Sequence, residues 1–168
     1  TENWKRPAQE VQGIMQLLVK FIDDKLSELS KNGIRFKHLG STCGLEQRIV
    51  DKLRQAEEVS RHNQDMVLCL AFNYGGREEI VTAAKKLAAD VRSGKLADED
   101  IDEACFSQYL YTAGIPDPDL LIRTSGEFRI SNFLLWQMAY SEIWLTDTYW
   151  PDFGEEEFYK SIHDYQNR

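Results

Sequence analysis

The sequence predicts an α/β protein, with a mostly parallel central sheet and helices on both faces, in a single domain over residues 1–168. Three observations lead to this class. Segments of strand character alternate along the chain with segments of helical periodicity. The run MVLCLAF at 66–72 is apolar throughout, as a parallel strand covered on both faces requires. A hydrophobic content of 42% in 168 residues is enough for one compact domain with a sizeable core.

The first predicted element is a helix that begins at Pro7 and stops near Asn32 and Gly33. Proline suits the first helical turn, and glycine suits the end. Apolar residues follow the 3.6-residue period, and further ones at Leu17, Val19 and Phe21 widen the apolar arc to roughly 200°, where one core surface needs about 100°. The helix is therefore either deeply buried or faces two separate apolar environments.

A strand, a helix and a second strand follow. IRFKHL at 34–39 alternates as a short strand does, and residues 44–63 have the period of an amphipathic helix. The apolar face of that helix comprises Leu45, Ile49, Leu53 and Ala56. After MVLCLAF, the turn NYGGR leads into a helix at 77–94, whose glutamates lie in the first turn, where the helix dipole favours them.

The alternation continues to the end of the chain. The remaining predicted elements are a helix at 97–110, a strand at 119–123, a helix at 131–140, a strand at 141–146 and a closing helix at 154–168. We expect Asp98 or Asp100 to cap the first of these helices. No repeat, low-complexity tract or linker interrupts the pattern, so the strands at 66–72, 119–123 and 141–146 should be parallel neighbours or near neighbours in one sheet.

Charge and cysteine usage exclude several classes of protein. The net charge of −8 and the pI near 4.9 have the wrong sign for a nucleic-acid binder. Cys43, Cys69 and Cys105 have no metal-type spacing and are interpreted as reduced packing residues, which is typical of a cytoplasmic protein. The longest apolar run falls far short of the roughly 20 residues of a membrane-spanning helix, and no signal peptide is visible.

Several common catalytic and metal-binding motifs do not fit the spacing. NYGGR lacks both the GK[ST] of a P-loop and the three glycines of a dinucleotide fingerprint. The acidic run from Asp98 resembles the start of a calcium loop, but its sixth position is Glu103 rather than glycine. The three histidines are scattered and no serine lies in a GxSxG elbow, so the sequence does not favour a zinc site or a hydrolase triad.

The stretch RTSGEFRISN at 123–132 is the strongest candidate site. It leaves the predicted strand DLLIR, and ligands of open α/β sheets bind at the carboxyl ends of the strands. Two arginines with serine and threonine hydroxyls can neutralise a diphosphate, Glu127 can hold the arginines, and a helix beginning near Ser131 would add backbone N–H groups. The residues therefore favour either an anion site or a solvated surface loop.

DLLIRTSGEFRISNFLLWQMAYSEIW followed by WPDF resembles the C-terminal signature of the cis-prenyltransferases, the isoprenyl transferase family. The opening TENWKRPAQEV and the NYGGR segment resemble two further signatures of this family, in the same order. The resemblance implies an enzyme that condenses isopentenyl diphosphate with an allylic diphosphate, usually farnesyl diphosphate, adding units with cis geometry to make a polyprenyl diphosphate lipid carrier. It also implies a homodimer and peripheral membrane contact for product release, and the acidic net charge indicates no nucleic-acid partner.

The resemblance also assigns site residues. Asn3 falls on the family's proton-acceptor position, although a neutral amide is a poor base, so it is equally suited to orienting the substrate. Glu142 matches a Mg²⁺ ligand, and its alternative is a solvent-exposed carboxylate at a strand edge. The wide apolar arc of the first helix would line the family's product tunnel. The positions that match substrate-binding residues are Thr1, Glu2, Trp4, Arg6, Arg123, Arg129, Ile130 and Ser131.

The resemblance leaves activity open in one respect. Family members carry a magnesium-binding aspartate and an allylic diphosphate loop upstream of the segment that matches Thr1, and a basic tail beyond the one that matches Arg168. We therefore expect this chain to be a fragment that is inactive alone. A non-catalytic partner subunit with the same fold is the alternative, although the arginines and the glutamate that such a subunit would lose are present.

Overall fold

A computed structural model of the protein describes residues 7–168, which divide into two compact units, one that ends at Gly75 and one over Gly76–Arg168. Both units combine helices with a pair of parallel strands, so the predicted α/β class is confirmed. The assignment of one domain to the whole chain stays a prediction. The predicted site residues that lie outside the described residues are Thr1, Glu2, Asn3, Trp4 and Arg6.

The first unit is a βαβ arrangement preceded by a long helix. Its elements are α1 (Ala8–Lys31), β1 (Ile34–Leu39), α2 (Gln47–Ser60) and β2 (Met66–Ala71). The strands β1 and β2 are parallel, with Ile34 opposite Met66 and Leu39 opposite Ala71. A parallel pair needs a crossover connection, and α2 supplies it.

The core of the first unit forms where the two helices meet β1, as their apolar periodicity predicts. Its buried members are Leu18 and Ile22 of α1, Phe36 of β1, and Ile49, Leu53 and Ala56 of α2. On the other side of α1, Leu17 and Phe21 stay exposed, at 67% and 39%. This exposure favours a helix with two apolar sides over a deeply buried one.

The second unit contains the remaining elements. These are α3 (Gly76–Arg92), α4 (Glu103–Ser107), β3 (Leu120–Arg123), β4 (Glu142–Leu145) and α5 (Glu155–Gln166). The strands β3 and β4 are parallel, with Leu120 opposite Glu142 and Arg123 opposite Leu145. Among the described helices, none combines the length and the apolar character needed to cross a membrane.

The predicted parallel pairing of the strands at 119–123 and 141–146 is confirmed. The described strands are hydrogen-bonded in two pairs, β1 with β2 and β3 with β4, so β2 is not a direct neighbour of β3 or β4. The prediction that β2 is covered on both faces is wrong for the start of the strand, where Met66 and Val67 are 52% and 36% exposed. An apolar run indicates a strand, but it does not specify which backbone edge will be its partner.

The predicted helix at 131–140 is wrong: the segment is a series of turns. Ser131, Asn132 and Leu134 have φ angles of 47°, 61° and 45°, in the left-handed region that a right-handed helix cannot include. Ser131 therefore begins no helix and offers no helix dipole to an anion. The backbone of this segment bonds elsewhere, as described below.

The helix predicted at 97–110 is reduced to a short 3₁₀ turn, Asp98–Asp100, and the five residues of α4. Its cap is Asp102, whose Oδ1 accepts the Cys105 N–H at 2.7 Å, and not Asp98 or Asp100. Ile101 is extended and separates the two turns.

The packing role predicted for all three cysteines is wrong for Cys43, which is exposed.

Candidate functional site

The loop that follows β3 is attached to the chain that follows β4. Arg123 O accepts the Thr146 N–H at 3.0 Å, Gly126 N–H donates to Thr146 O at 2.9 Å, and Ser125 N–H donates to Thr148 O at 2.9 Å. The parallel pairing of β3 with β4 thus continues into the loop. It fixes Arg123 and the following hydroxyl residues at the carboxyl edge, where α/β sheets bind ligands.

A cavity of about 570 Å³ opens at this loop, within the range of roughly 300–1,000 Å³ that is typical of ligand pockets. Its polar and charged lining includes Arg123, Thr124, Ser125, Glu127, Arg129 and Ser131. Ile130 lines it as well. The structure therefore brings together Arg123, Arg129, Ile130 and Ser131, the four described residues that the family resemblance assigns to substrate.

The two arginines of the cavity have different surroundings. Arg129 forms an ion pair with Glu127, and their side chains are 62% and 38% exposed. The Arg123 side chain is only partly exposed, and it has neither a hydrogen bond nor an ion pair with any of the residues that the structure describes. Because a partly desolvated cation is costly unless it is paired, the cavity favours an anionic ligand.

Glu142 lies apart from these arginines. It begins β4 opposite Leu120, whereas Arg123 ends β3 opposite Leu145, and three residues of strand correspond to about 10 Å. Its carboxylate forms an ion pair with Arg168. No cluster of three or more metal-ligating side chains exists among the described residues. A carboxylate such as that of Glu142 suits Mg²⁺. Glu142 is not among the residues that line the cavity.

Sequence reasoning did not single out three residues that hold the site in place: Asn132, Glu79 and Gln137. Asn132 caps α3, and Gln137 pairs with Glu79 inside the second unit, where they are 2% and 1% exposed. The only signal for Gln137 was an amide within the apolar segment FLLWQMAY. No local pattern distinguishes a buried glutamate such as Glu79 from a first-turn glutamate on a solvent-facing helix.

Gly126 → Ala should distort the loop. Gly126 has φ 64°, and a Cβ there would lie 2.8 Å from Asp147 Oδ1. We expect a loss of about 1–2 kcal/mol in the free energy of unfolding, from backbone strain and the contact together. The measurement is urea unfolding. Gly114 → Ala is the matched control, because Gly114 has φ 76° but no atom within 4 Å of an added Cβ. Equal losses in the two variants would exclude the Asp147 contact.

Comparisons with known proteins agree over the whole chain. The family model of undecaprenyl diphosphate synthase matches residues 1–168. The isoprenyl transferase of Clostridium perfringens is 50% identical over the whole chain, which spans 66% of that protein. A ditrans,polycis-undecaprenyl-diphosphate synthase of Legionella pneumophila, named as (2E,6E)-farnesyl-diphosphate specific, is 47% identical, and the chain spans 71% of it.

Two solved structures are similar in fold. Lavandulyl diphosphate synthase from Lavandula x intermedia, in complex with dimethylallyl diphosphate, matches 99% of this chain and 72% of its own with a TM-score of 0.94 and 41% identity. A probable undecaprenyl diphosphate synthase from Campylobacter jejuni matches 99% of this chain and 76% of its own, with a TM-score of 0.87 and 36% identity. The chain thus spans about two thirds to three quarters of these proteins.

Proposed function

Because the chain belongs to the undecaprenyl diphosphate synthase family of prenyltransferases, we propose that it takes part in the condensation of isopentenyl diphosphate with an allylic diphosphate. Farnesyl diphosphate is the proposed primer, since a relative that is 47% identical carries that specificity in its name. Each cycle forms one carbon–carbon bond, expels the allylic diphosphate and releases one proton from the isopentenyl unit. The proposed product is a polyprenyl diphosphate lipid carrier for cell-wall glycan synthesis.

The observation that carries this proposal is the arginine-lined cavity at the carboxyl edge of β3. Arg123 has no partner among the described residues, and a diphosphate would supply one. Arg129 and Ser131 line the same cavity and would bind other oxygens of the same diphosphate. The loop would thereby hold isopentenyl diphosphate by its charged end while its hydrocarbon end stays available for reaction.

For the growing hydrocarbon, we propose the first unit as the binding surface. The uncovered apolar side of α1 includes Leu17 and Phe21. A cleft of about 450 Å³ also lies between α1 and the start of α2, lined by Val11, Met15 and Ile49 among others. Apolar surface of this kind is what an isoprenoid chain requires, because burial of each CH₂ group contributes about 0.8 kcal/mol.

The opening residues keep their proposed roles from the family. Asn3 is proposed to orient the reacting substrate at the family's proton-acceptor position, with a diphosphate oxygen as the alternative acceptor. Trp4 is proposed to pack against the isoprenoid or to shield cationic charge. The other proposed substrate contacts are Thr1, Glu2 and Arg6.

Magnesium is the proposed cofactor, and it would offset diphosphate charge when bound. Glu142 is its proposed ligand among the described residues on the grounds of oxygen-donor chemistry alone. In the full-length protein, Glu142 → Gln should raise the magnesium concentration for half-maximal activity by about tenfold, because ligand-shell changes cost 10–100-fold in affinity. The measurement is a magnesium titration of the initial rate.

Arg168 → Ala is the control for that titration, since it removes the ion-pair partner of Glu142 and leaves the carboxylate in place. A magnesium requirement that is unchanged in Glu142 → Gln, together with equal destabilisation in the two variants, would mean that Glu142 only holds Arg168.

We also propose a cytoplasmic homodimer with peripheral membrane contact during product release. The free cysteines support a reducing compartment. Ile143 and Leu145 of β4, at 47% and 40% exposure, support an apolar contact surface. Sedimentation equilibrium of the full-length protein measures the proposed dimer directly.

The experiment that tests the function is incorporation of labelled isopentenyl diphosphate by the full-length protein with farnesyl diphosphate and Mg²⁺, followed by chain-length analysis. We expect long products, and we expect EDTA to abolish them. A folded protein that binds isopentenyl diphosphate without elongating any primer would instead be a non-catalytic partner subunit. A protein that does not bind isopentenyl diphosphate would be neither a synthase nor such a subunit.

A further inference from the structure

The segment that follows the arginine loop, residues 123–131, is attached to the beginning of α3 by Asn132. Gly76 N–H donates to Asn132 O at 2.7 Å, and Arg77 N–H donates to Asn132 Oδ1 at 2.9 Å. The first N–H groups of a helix have no partner within the helix. One residue that is 55 positions away along the chain therefore satisfies two of them.

Two further contacts hold the same segment against α3. A Cβ at Gly76 would lie 2.7 Å from Leu135 Cγ, so only glycine allows this approach. One turn further along the helix, Gln137 Nε2 donates to the Glu79 carboxylate at 3.2 Å. The start of α3 and residues 132–137 thus behave as one packed body.

The conformation of Asn132 suits this role. Its φ of 61° lies in the left-handed region, which asparagine enters more readily than most residues with a Cβ. Ser131 before it has φ 47°, so the chain reverses sharply between the cavity and α3. The position of the Ser131 hydroxyl, and of Arg129 two residues earlier, therefore depends on where Asn132 is held.

We propose that Asn132 is a positioning residue for diphosphate binding, acting through its bonds to the first turn of α3. The inference rests on the proposed function, because it concerns the same arginine-lined cavity. Asn132 is not among the lining residues of that cavity, and its side-chain oxygen accepts the Arg77 N–H. Its effect must therefore pass through Ser131 and Arg129, which do line it.

The test is Asn132 → Gly in the full-length protein. Glycine keeps the left-handed backbone without strain and removes only the side-chain bond to Arg77. We expect the Kd for inorganic pyrophosphate, measured by calorimetry, to rise about tenfold, since a 1 Å displacement of binding groups can cost up to 10²-fold. The KM for isopentenyl diphosphate should rise equally, while the KM for farnesyl diphosphate stays within twofold of the parent value.

Asn63 → Gly is the matched control. It is the same substitution, and it removes the bond from Asn63 Nδ2 to Ile34 O at 2.8 Å, at the amino end of β1. Only Asn132 → Gly should lose affinity for pyrophosphate, because Asn63 lies in the first unit and lines no part of the cavity. Equal affinities in both variants and the parent would overturn the positioning role and leave the proposed function intact.

A second measurement needs no variant and so does not depend on the folding of Asn132 → Gly. In the unmodified protein, saturating pyrophosphate should slow hydrogen exchange at the Arg77 amide several-fold, because a ligand that orders the loop must also tighten the bond to Asn132. Unchanged exchange at this amide contradicts the inference. If the unmodified protein binds neither pyrophosphate nor isopentenyl diphosphate, the proposed function and the inference both fall.

Discussion

Arg123 → Ala is expected to weaken isopentenyl diphosphate binding by about 100-fold without unfolding the protein. A charge-assisted hydrogen bond contributes about 1.5–3 kcal/mol, and 1.4 kcal/mol corresponds to tenfold in affinity. Arg123 ends β3 and has no side-chain partner among the described residues, so its removal breaks no bond that the fold shows. The measurement is calorimetric titration with isopentenyl diphosphate, together with thermal unfolding.

Arg129 → Ala should weaken binding less, by about tenfold, because the Arg129 side chain is more than half exposed and already paired with Glu127. Its loss should still weaken binding much more than folding. Arg123 → Lys tests geometry at constant charge: lysine lacks the planar fork of donors, so the affinity should fall between those of the parent and the alanine variant.

Arg54 → Ala, on the exposed side of α2, controls for the general loss of positive charge. Isopentenyl diphosphate affinity in Arg123 → Ala that equals the affinity in Arg54 → Ala would remove the arginine loop from substrate binding. The proposed function would then lose its principal support.

Glu79 → Ala is expected to lower the free energy of unfolding by about 3 kcal/mol. The Glu79 carboxylate is 1% exposed; it accepts the Tyr111 N–H at 2.8 Å and lies 3.2 Å from Gln137 Nε2. Alanine would remove the acceptor of both donors, and each buried group left without a partner costs about 1–3 kcal/mol. Gln137 Nε2 also donates to Thr112 Oγ1 at 2.9 Å, whereas Gln137 Oε1 has no partner in the described residues.

Glu78 → Ala is the control on the same helix. Glu78 accepts hydrogen bonds from Thr82 Oγ1 and Tyr111 Oη, but it is only partly buried, so water can replace them. We expect its loss to cost less than about 1 kcal/mol. Urea unfolding followed by tryptophan fluorescence reports on this unit through Trp136, Trp144 and Trp150. If the two alanine variants lower the free energy of unfolding equally, the burial of Glu79 does not contribute to stability.

Much of the fold was predictable because its signals are local. The 3.6-residue period of α1 and α2, and the apolar runs of β2 and β3, depend on residues within one element. The candidate site was predictable to the same extent: the arginines and Ser131 lie within nine residues of sequence, so the loop that joins them keeps them close in any fold. Glu142, further along the chain, was expected near the arginines and lies at the other end of the strand pair.

The sequence by itself therefore determined the α/β class, most of the helices and strands, and the residues of the arginine loop. The tertiary structure decided which strands pair, which side of α1 is covered, and what residues 131–140 become. The apolar segment at 131–140 has helical character, but Asn132 bonds to the start of α3 and Gln137 to Glu79. Such bonds join residues more than 50 positions apart. The bond between Gln137 and Glu79 is buried, and because it satisfies groups that would otherwise lack a partner, it outweighs a local propensity of less than about 1 kcal/mol per residue.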